Sequence, residues 1–422
     1  MAKGFKSILR YMADQALQRR VIRTLVGAQV LTSLGMASGA SVGVLLADDL
    51  TGSETLAGFG TTAQVLGGAL IAIPTARIMA ARGRRPGLWF SYSLAAVGSL
   101  VIIAAALLRS YPLLVLGMLA FGGATAGNGQ SRYAAADLAE DAHRGRDLSI
   151  VVWAATVGAV LGPNLIGPGR ELGRLVGVPD LAGSFLFALV GLLLGIVVIV
   201  RWLRPDPLLV SRELAGAVPG AAPADNDGSL SRGLRVLRAH PQARRGALVV
   251  ALGHVVMVGV MGMTPLHMAH GHAELEVIGF VLSVHILGMF AFSPLVGVAV
   301  DRRGGVVVAG TGGVLLVAAA LLTSVSQAGW SSLLLVALFL LGLGWSCTLV
   351  SGSTMLTAAV RPDERAAVQG LAEVGMGLAA AAGGAVAGGV MEAFGYRWLG
   401  LGAALLGLVI LLLATARTRQ RS

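Results

Sequence analysis

Twelve apolar runs of roughly twenty residues recur along the chain, each long enough to cross the hydrocarbon core of a bilayer. Backbone in lipid must satisfy its own hydrogen bonds, so runs of this length have to be helical. They fall at 21–47, 56–79, 88–108, 112–136, 148–169, 181–203, 246–268, 276–300, 306–327, 330–359, 366–391 and 398–416. The expected fold is an all-α membrane protein with twelve transmembrane helices. Composition bears on this directly: 55% of residues are hydrophobic and only 13% charged, too little charge to cover a soluble surface.

The loops set the orientation. With both termini cytoplasmic, only Arg109, Arg170, Arg174 and Arg397 of the 32 Lys+Arg fall on the outer side. That bias is the positive-inside rule. It accounts for the formal net charge of +11 through topology and lipid anchoring, with no nucleic-acid partner. Residues 1–20 lack a signal peptide, because Lys3, Lys6 and Arg10 interrupt the apolar positions Phe5, Ile8, Leu9, Met12 and Ala16. Their spacing suggests a short amphipathic helix lying on the cytoplasmic membrane surface. Residues 21–203 and 246–416 make two six-helix halves, and 417–422 a basic cytoplasmic tail. The segment 204–245 between the halves contains "AVPGAAPADNDGS", which has no hydrophobic period and reads as a flexible linker.

The halves repeat. Gly83 in "ARIMAARGRRPG" aligns with Gly304 in "GVAVDRRGG" at an offset of 221, and Arg146 before Gly158 aligns with Arg365 before Gly377 at 219. A duplicated six-helix plan is a transporter plan. At these residues the chain resembles the major facilitator superfamily: Gly297 to Gly304, with Asp301 and Arg302, matches its loop motif G-x-x-x-D-R-x-G. In the first half Ala80 and Ala81 replace the Asp and Arg, leaving Gly83 and Arg84, and Met118 stands where the superfamily usually carries an Arg. Gly158, Gly162 and Pro163 are similar to its glycine-rich antiporter motif; small residues there also allow close helix packing. The departures argue against drug–proton antiport of the usual kind. Asp301, at a span end, is placed to accept from a neighbouring helix N-terminus and so to act in gating with Arg302, Gly304, Gly83 and Arg84.

Residues 254–289 hold five of the seven His and five of the thirteen Met. His254, Met257 and Met261 share one face of the seventh span, and His285 and Met289 lie one turn apart on the eighth. Met257, Met261, His285 and Met289 fall near the bilayer midplane, where carriers hold their cargo. Thioether sulfur selects Cu(I), imidazole suits copper among other first-row metals, and neutral ligands are cheaper to bury than carboxylates. His267, Met268, His270 and His272 sit at the outer mouth of the same helix, and His254 and the single cysteine, Cys347, are further accessory candidates. The pair Met257-x-x-x-Met261 and His285-x-x-x-Met289, 28 residues apart, resembles the signature of the CcoA-like copper importers of that superfamily. The resemblance implies copper as a transported substrate rather than a resident cofactor, uptake across a bacterial cytoplasmic membrane, and a cytoplasmic copper acceptor.

Two other classes compete. A proton-coupled carrier of an organic solute or drug would use the Met-rich face as an adaptable pocket, with Gln29, Gln64, Asn128, Gln130 and Asn164 as polar contacts and Glu373 as the buried carboxylate. A non-transporting metal sensor would need a docking domain that the linker is too short to supply. No enzymatic activity is expected.

Overall fold

The computed structural model describes residues 2–52, 54–162, 165–215 and 229–415, and their side chains except at 2–14, 40, 41, 44, 54, 55, 57–61, 275 and 276. The described residues form eleven helices long and apolar enough to cross a membrane, or twelve if one bent pair counts as a span.

The spans, numbered 1 to 12, begin with Ala2–Thr51, Glu54–Arg82 and Arg84–Leu107. Span 4 joins Tyr111–Phe121 to Gly123–Ala135, span 5 joins Arg144–Leu161 to Ile166–Val176, and span 6 is Gly183–Trp202. In the second half come Pro241–His270, then Leu275–Phe290 with Ser293–Arg303 as span 8, then Gly305–Ser324, Ser332–Ala358, Arg365–Phe394 and Tyr396–Thr415.

Three expectations change. Residues 2–20 do not form a separate surface helix: the backbone runs without a break into span 1, since nothing after Gly4 in that stretch breaks a helix. Span 5 is bent by 68° between its two pieces. The break follows Gly162, where the sequence places Pro163, which cannot donate to the helix ladder; Pro163 and Asn164 lie outside the described residues. The linker is not wholly irregular either. Asp206 caps a helix Pro207–Leu214 by accepting from Leu208 N and Leu209 N, and Ser229 caps a second, Leu230–Ala239. Most of the Pro/Ala/Gly/Asp stretch, residues 216–228, and the basic tail lie outside the described residues.

Each half has its own apolar core. One is built on Leu25, Tyr92, Phe121 and Phe185, the other on Val256, Leu316, Leu338 and Ile410. A third cluster straddles the halves, joining Tyr133, Leu148 and Val152 of the first to Met257, Met289, Trp345 and Cys347 of the second. Between the halves, span 2 packs on span 11 and span 5 on span 8. A Cβ at Gly297 would come within 2.1 Å of Ser149 Oγ, and one at Gly370 within 2.4 Å of Ala76 Cβ, so the halves meet with no room for a methyl group.

Candidate functional site: the joined face of spans 7, 8 and 10 and the buried ion pairs beside it

His285 is completely buried on span 8. Its Nδ1 lies 2.8 Å from the Leu338 carbonyl oxygen of span 10, and its Nε2 is buried with no hydrogen-bond partner. A carbonyl can only accept, so Nδ1 carries the proton and Nε2 keeps its lone pair. Span 10 can approach because Gly342 has no side chain: a Cβ there would sit 2.3 Å from the His285 carbonyl oxygen and 2.9 Å from Met289 N.

Trp345, one turn along span 10, ties the neighbouring spans together. Its ring meets Phe290 of span 8 edge-on at 5.6 Å, and its Nε1–H donates to His254 Nδ1 of span 7 at 2.9 Å. That bond occupies the His254 lone pair and leaves its other nitrogen protonated. His254 therefore has no electron pair for a metal in this arrangement, and it acts as an anchor for Trp345. Met257 and Met289 are buried in the cluster that contains Trp345, and half-buried Met261 packs against it. Three of the four residues of the paired motif are thus buried in protein, and Met261 is half-buried.

The accessory candidates separate. Cys347 is buried with its Cβ toward Gly312 of span 9. Met268 is wholly buried in the second half's core. His267 stacks on Tyr396 at 4.0 Å, while His270 and His272 are exposed. Among the described residues no three His, Cys, Asp or Glu side chains gather where they could hold a metal ion. The three histidines at the C-terminal end of span 7 therefore do not form one chelating cluster, and a metal site using His285 would depend on thioether sulfur.

The motif residues at the linker end fall into place. Asp301 Oδ1 accepts from Gly145 N at 2.7 Å and its Oδ2 from Arg146 N at 2.8 Å, which fastens the end of span 8 to the N-terminus of span 5. Gly83 and Gly304 take φ of +93° and +86° at the turns into spans 3 and 9, a region that costs other residues strain. Arg302 is exposed. Gly158 and Gly162 press span 5 onto span 1: Cβ atoms there would meet Ser33 C at 2.3 Å and Ala37 Cβ at 2.4 Å.

Arg84 is fully buried at the centre of an ionic network. It donates to Asp137 through Nε at 2.7 Å and Nη2 at 3.1 Å, to Gln130 Oε1 at 3.0 Å, and across the halves to Gln369 Oε1. Arg365 of span 11 reaches the same Asp137, bonding its carbonyl oxygen at 3.0 Å with its carboxylate at 3.6 Å. Further along, Arg132 of span 4 pairs with Glu373 of span 11, both buried, and Arg132 also donates to Ser353 Oγ at 3.3 Å. Among the described residues, the hydrogen bonds and ion pairs that join the halves thus gather toward the linker end and hold it closed.

The motif reading passes over Arg132, Asp137 and Asp206, and uses Arg365 only to align the halves. A signal for the first existed: Arg132 is a cation inside an apolar run, and such charges seek partners. Asp206 before Pro207 carries the signature of a helix N-cap, but nothing in the sequence points it to span 3. Besides its own helix it accepts from Arg84 N at 3.0 Å and Arg85 N at 2.8 Å, so a linker carboxylate serves the N-terminus of span 3 beside the turn where position 80 has lost its acid.

Of the polar residues weighed for an organic solute, Asn128 Oδ1 accepts from Thr32 and Tyr92, Gln29 donates to Ser33, and Gln130 serves Arg84. Gln64 is half-buried. The Gln29 Oε1 atom is buried and has no partner.

The sequence model of the Major Facilitator Superfamily matches residues 25–275 and 247–422. The chain is 35% identical over 401 residues to the "Uncharacterized MFS-type transporter YddS" of Bacillus subtilis, covering 94% of this chain and 90% of that one. It is 28% identical over 372 residues to the "Riboflavin transporter RfnT" of Brucella anthropi, covering 85% and 86%. Among solved structures, the human organic anion transporter MFSD10 superimposes with a TM-score of 0.72 at 20% identity, over 94% of this chain and 99% of that one. A bacterial homologue of the iron transporter ferroportin, in an outward-facing state, gives 0.70 at 15% identity, over 94% and 100%. The last two establish a shared fold.

Proposed function

The chain belongs to the Major Facilitator Superfamily as a multi-pass secondary transporter, and from that premise we propose that it takes up copper across a bacterial cytoplasmic membrane by alternating access, with both termini in the cytoplasm. The observation that carries this reading is His285: a buried imidazole whose Nδ1 is tied to Leu338 and whose Nε2 lone pair has no partner. A carbonyl on the far nitrogen is the usual way a protein orients a metal-binding histidine. Met257, Met261 and Met289 supply neutral sulfur at the same depth, a donor set that favours Cu(I) over oxygen-seeking cations. Exposed His270 and His272 collect the ion at the mouth, and a cytoplasmic acceptor removes it after the halves rock.

A second reading has its own support. The likeness to a riboflavin transporter and the unpartnered Gln29 Oε1 favour a proton-coupled carrier of an organic solute. One experiment divides the two. Met257→Leu with Met261→Leu keeps side-chain volume but removes both thioethers. Cellular copper is measured at matched expression, with zinc and manganese as controls and riboflavin uptake in parallel. Copper uptake abolished in the double variant and in His285→Ala supports the metal reading. Copper accumulation equal to the parent in the double Leu variant sinks it.

A further inference from the structure

We infer that the groove between spans 1 and 6 at the linker end is a binding site for an anionic phospholipid with two phosphates. The site is separate from the cargo site and independent of what the cargo is. Spans 1 and 6 pack on each other. At the linker end they flank a cavity of about 510 Å³, across which Arg19, Arg20, Arg23 and Thr24 of span 1 face Val198 and Trp202 of span 6.

Three guanidinium groups thus share one cavity, and no carboxylate lines it. Arg19 is held only by the Gln15 side chain, whose Oε1 lies at 3.3 Å. Arg20 and Arg23 are exposed, and among the described residues neither has a hydrogen bond or an ion pair. Arg19 and Arg23 also border a neighbouring cavity that holds Glu140 and Asp147. Those acids are engaged elsewhere: Asp147 accepts from Gln18 at 2.7 Å, and Glu140 pairs with His143. Arg20 does not line that second cavity. Like charges four residues apart on a helix repel, so the groove lacks the anion that would quiet them.

A phosphate alone would answer the arginines, but the groove also has an apolar continuation. Leu194, Val198 and Trp202 recur at one-turn intervals along span 6, with Leu194 and Trp202 each 47% exposed. On span 1, Gly27 lies one turn beyond Arg23, on the face turned away from Gln29. A Cβ there would meet nothing within 4 Å. The charged end therefore opens onto an apolar channel that runs along the spans, away from the linker end. A molecule with phosphate at one end and an alkyl chain at the other fits both parts. Tryptophan and arginine together at span ends mark the level of lipid headgroups, and basic pockets between spans take headgroups rich in phosphate. Three arginines match two phosphates better than one, since each phosphate can take a bidentate guanidinium. The bound lipid touches two spans of the same half, so it clamps the first half without fastening it to the second.

The test uses the full-length protein in neutral detergent, stripped of lipid and free of copper, so its outcome is independent of the copper reading. Native mass spectrometry follows titration with cardiolipin, which has two phosphates, phosphatidylglycerol, which has one, and phosphatidylethanolamine, which has no net charge. The parent should bind one cardiolipin most tightly, and its thermal midpoint should rise with occupancy. Arg20→Gln with Arg23→Gln should weaken cardiolipin binding about tenfold or more, because two charges at a headgroup site are lost. Arg20→Gln alone should show part of the same loss. Arg82→Gln with Arg303→Gln removes equal charge from exposed positions elsewhere at the linker end and should keep the parent's affinity. Midpoints without lipid check that each variant is folded. Inorganic pyrophosphate separates a lipid from a soluble anion: it should neither displace cardiolipin nor raise the midpoint. A parent with no preference for cardiolipin, a variant at 20 and 23 that binds like the parent, a control that loses as much, or pyrophosphate that matches cardiolipin each overturns the inference.

Discussion

Gly83 and Gly304 occupy equivalent turns, yet they are not equally replaceable. Both combine positive φ with extended ψ, a region kept essentially for glycine, which costs an alanine about 1–3 kcal/mol. At Gly304 a Cβ would meet nothing within 4 Å, whereas at Gly83 it would come within 2.5 Å of the Asp206 carboxyl carbon. Gly304→Ala should therefore cost little beyond the backbone strain. Gly83→Ala should also dislodge Asp206, lowering the thermal midpoint further and making the linker easier to cleave. Equal midpoints and equal proteolysis for the two variants would refute the clasp. Asp206→Ala should reproduce the linker sensitivity without the strain, at roughly 1–2 kcal/mol for a lost helix cap. At this scale the sequence was partly legible. The paired Met and His motifs could be read because helical spacing fixes their faces. The bond from Trp345 to His254, between residues 91 apart, and the four N–H groups served by Asp206 could not, because they arise only when separate helices pack.

At the scale of elements, apolar run length placed the spans, since it is imposed by the bilayer rather than by side-chain detail. The run-length reading failed where local chemistry intervened: at the bend of span 5, and in the linker, where Asp206 and Ser229 cap helices that no hydrophobic period announced. The end of span 7 away from the linker shows a similar division. His267 belongs to a clamp in which its ring stacks on Tyr396, whose hydroxyl lies 2.8 Å from Thr264 Oγ1. Replacing it would disturb how spans 7 and 12 pack. His270 and His272 are free of that duty, so His270→Ala with His272→Ala should weaken copper uptake only at low external copper, leaving the saturated rate near normal. A loss of the same proportion at every concentration would mean that these histidines do not collect the ion. Asp301→Asn acts on a different joint: it weakens the hold of span 8 on the N-terminus of span 5, and should change the uptake rate while copper binding in detergent stays intact. An unchanged rate would remove Asp301 from gating.

For the whole molecule the question is what keeps the linker end shut, and Asp137 is where one buried carboxylate answers both halves. Its side chain is completely buried and answers two buried arginines, Arg84 of the first half and Arg365 of the second. Asp137→Asn keeps the shape but leaves both guanidinium groups short of counter-charge. Breaking a buried pair in this way costs about 3–5 kcal/mol, and each 1.4 kcal/mol or so is tenfold in an equilibrium. Because one of the arginines lies on the other half, separation of the halves relieves part of that cost, and the population should move toward the open arrangement by a factor of ten or more. Arg365→Gln should have a smaller effect, since Arg84 keeps Asp137 satisfied within the first half. Asp49→Asn is the control, because its partner Arg109 is exposed and 3.8 Å away, and exposed pairs contribute little. Spin-label distances between positions 82 and 303 at neutral pH give the ranking directly. If Asp137→Asn leaves the distance distribution where the parent has it, the charges around Asp137 do not hold this end shut, and its closure rests on the packing of spans 2, 5, 8 and 11 and on the polar contacts elsewhere between the halves.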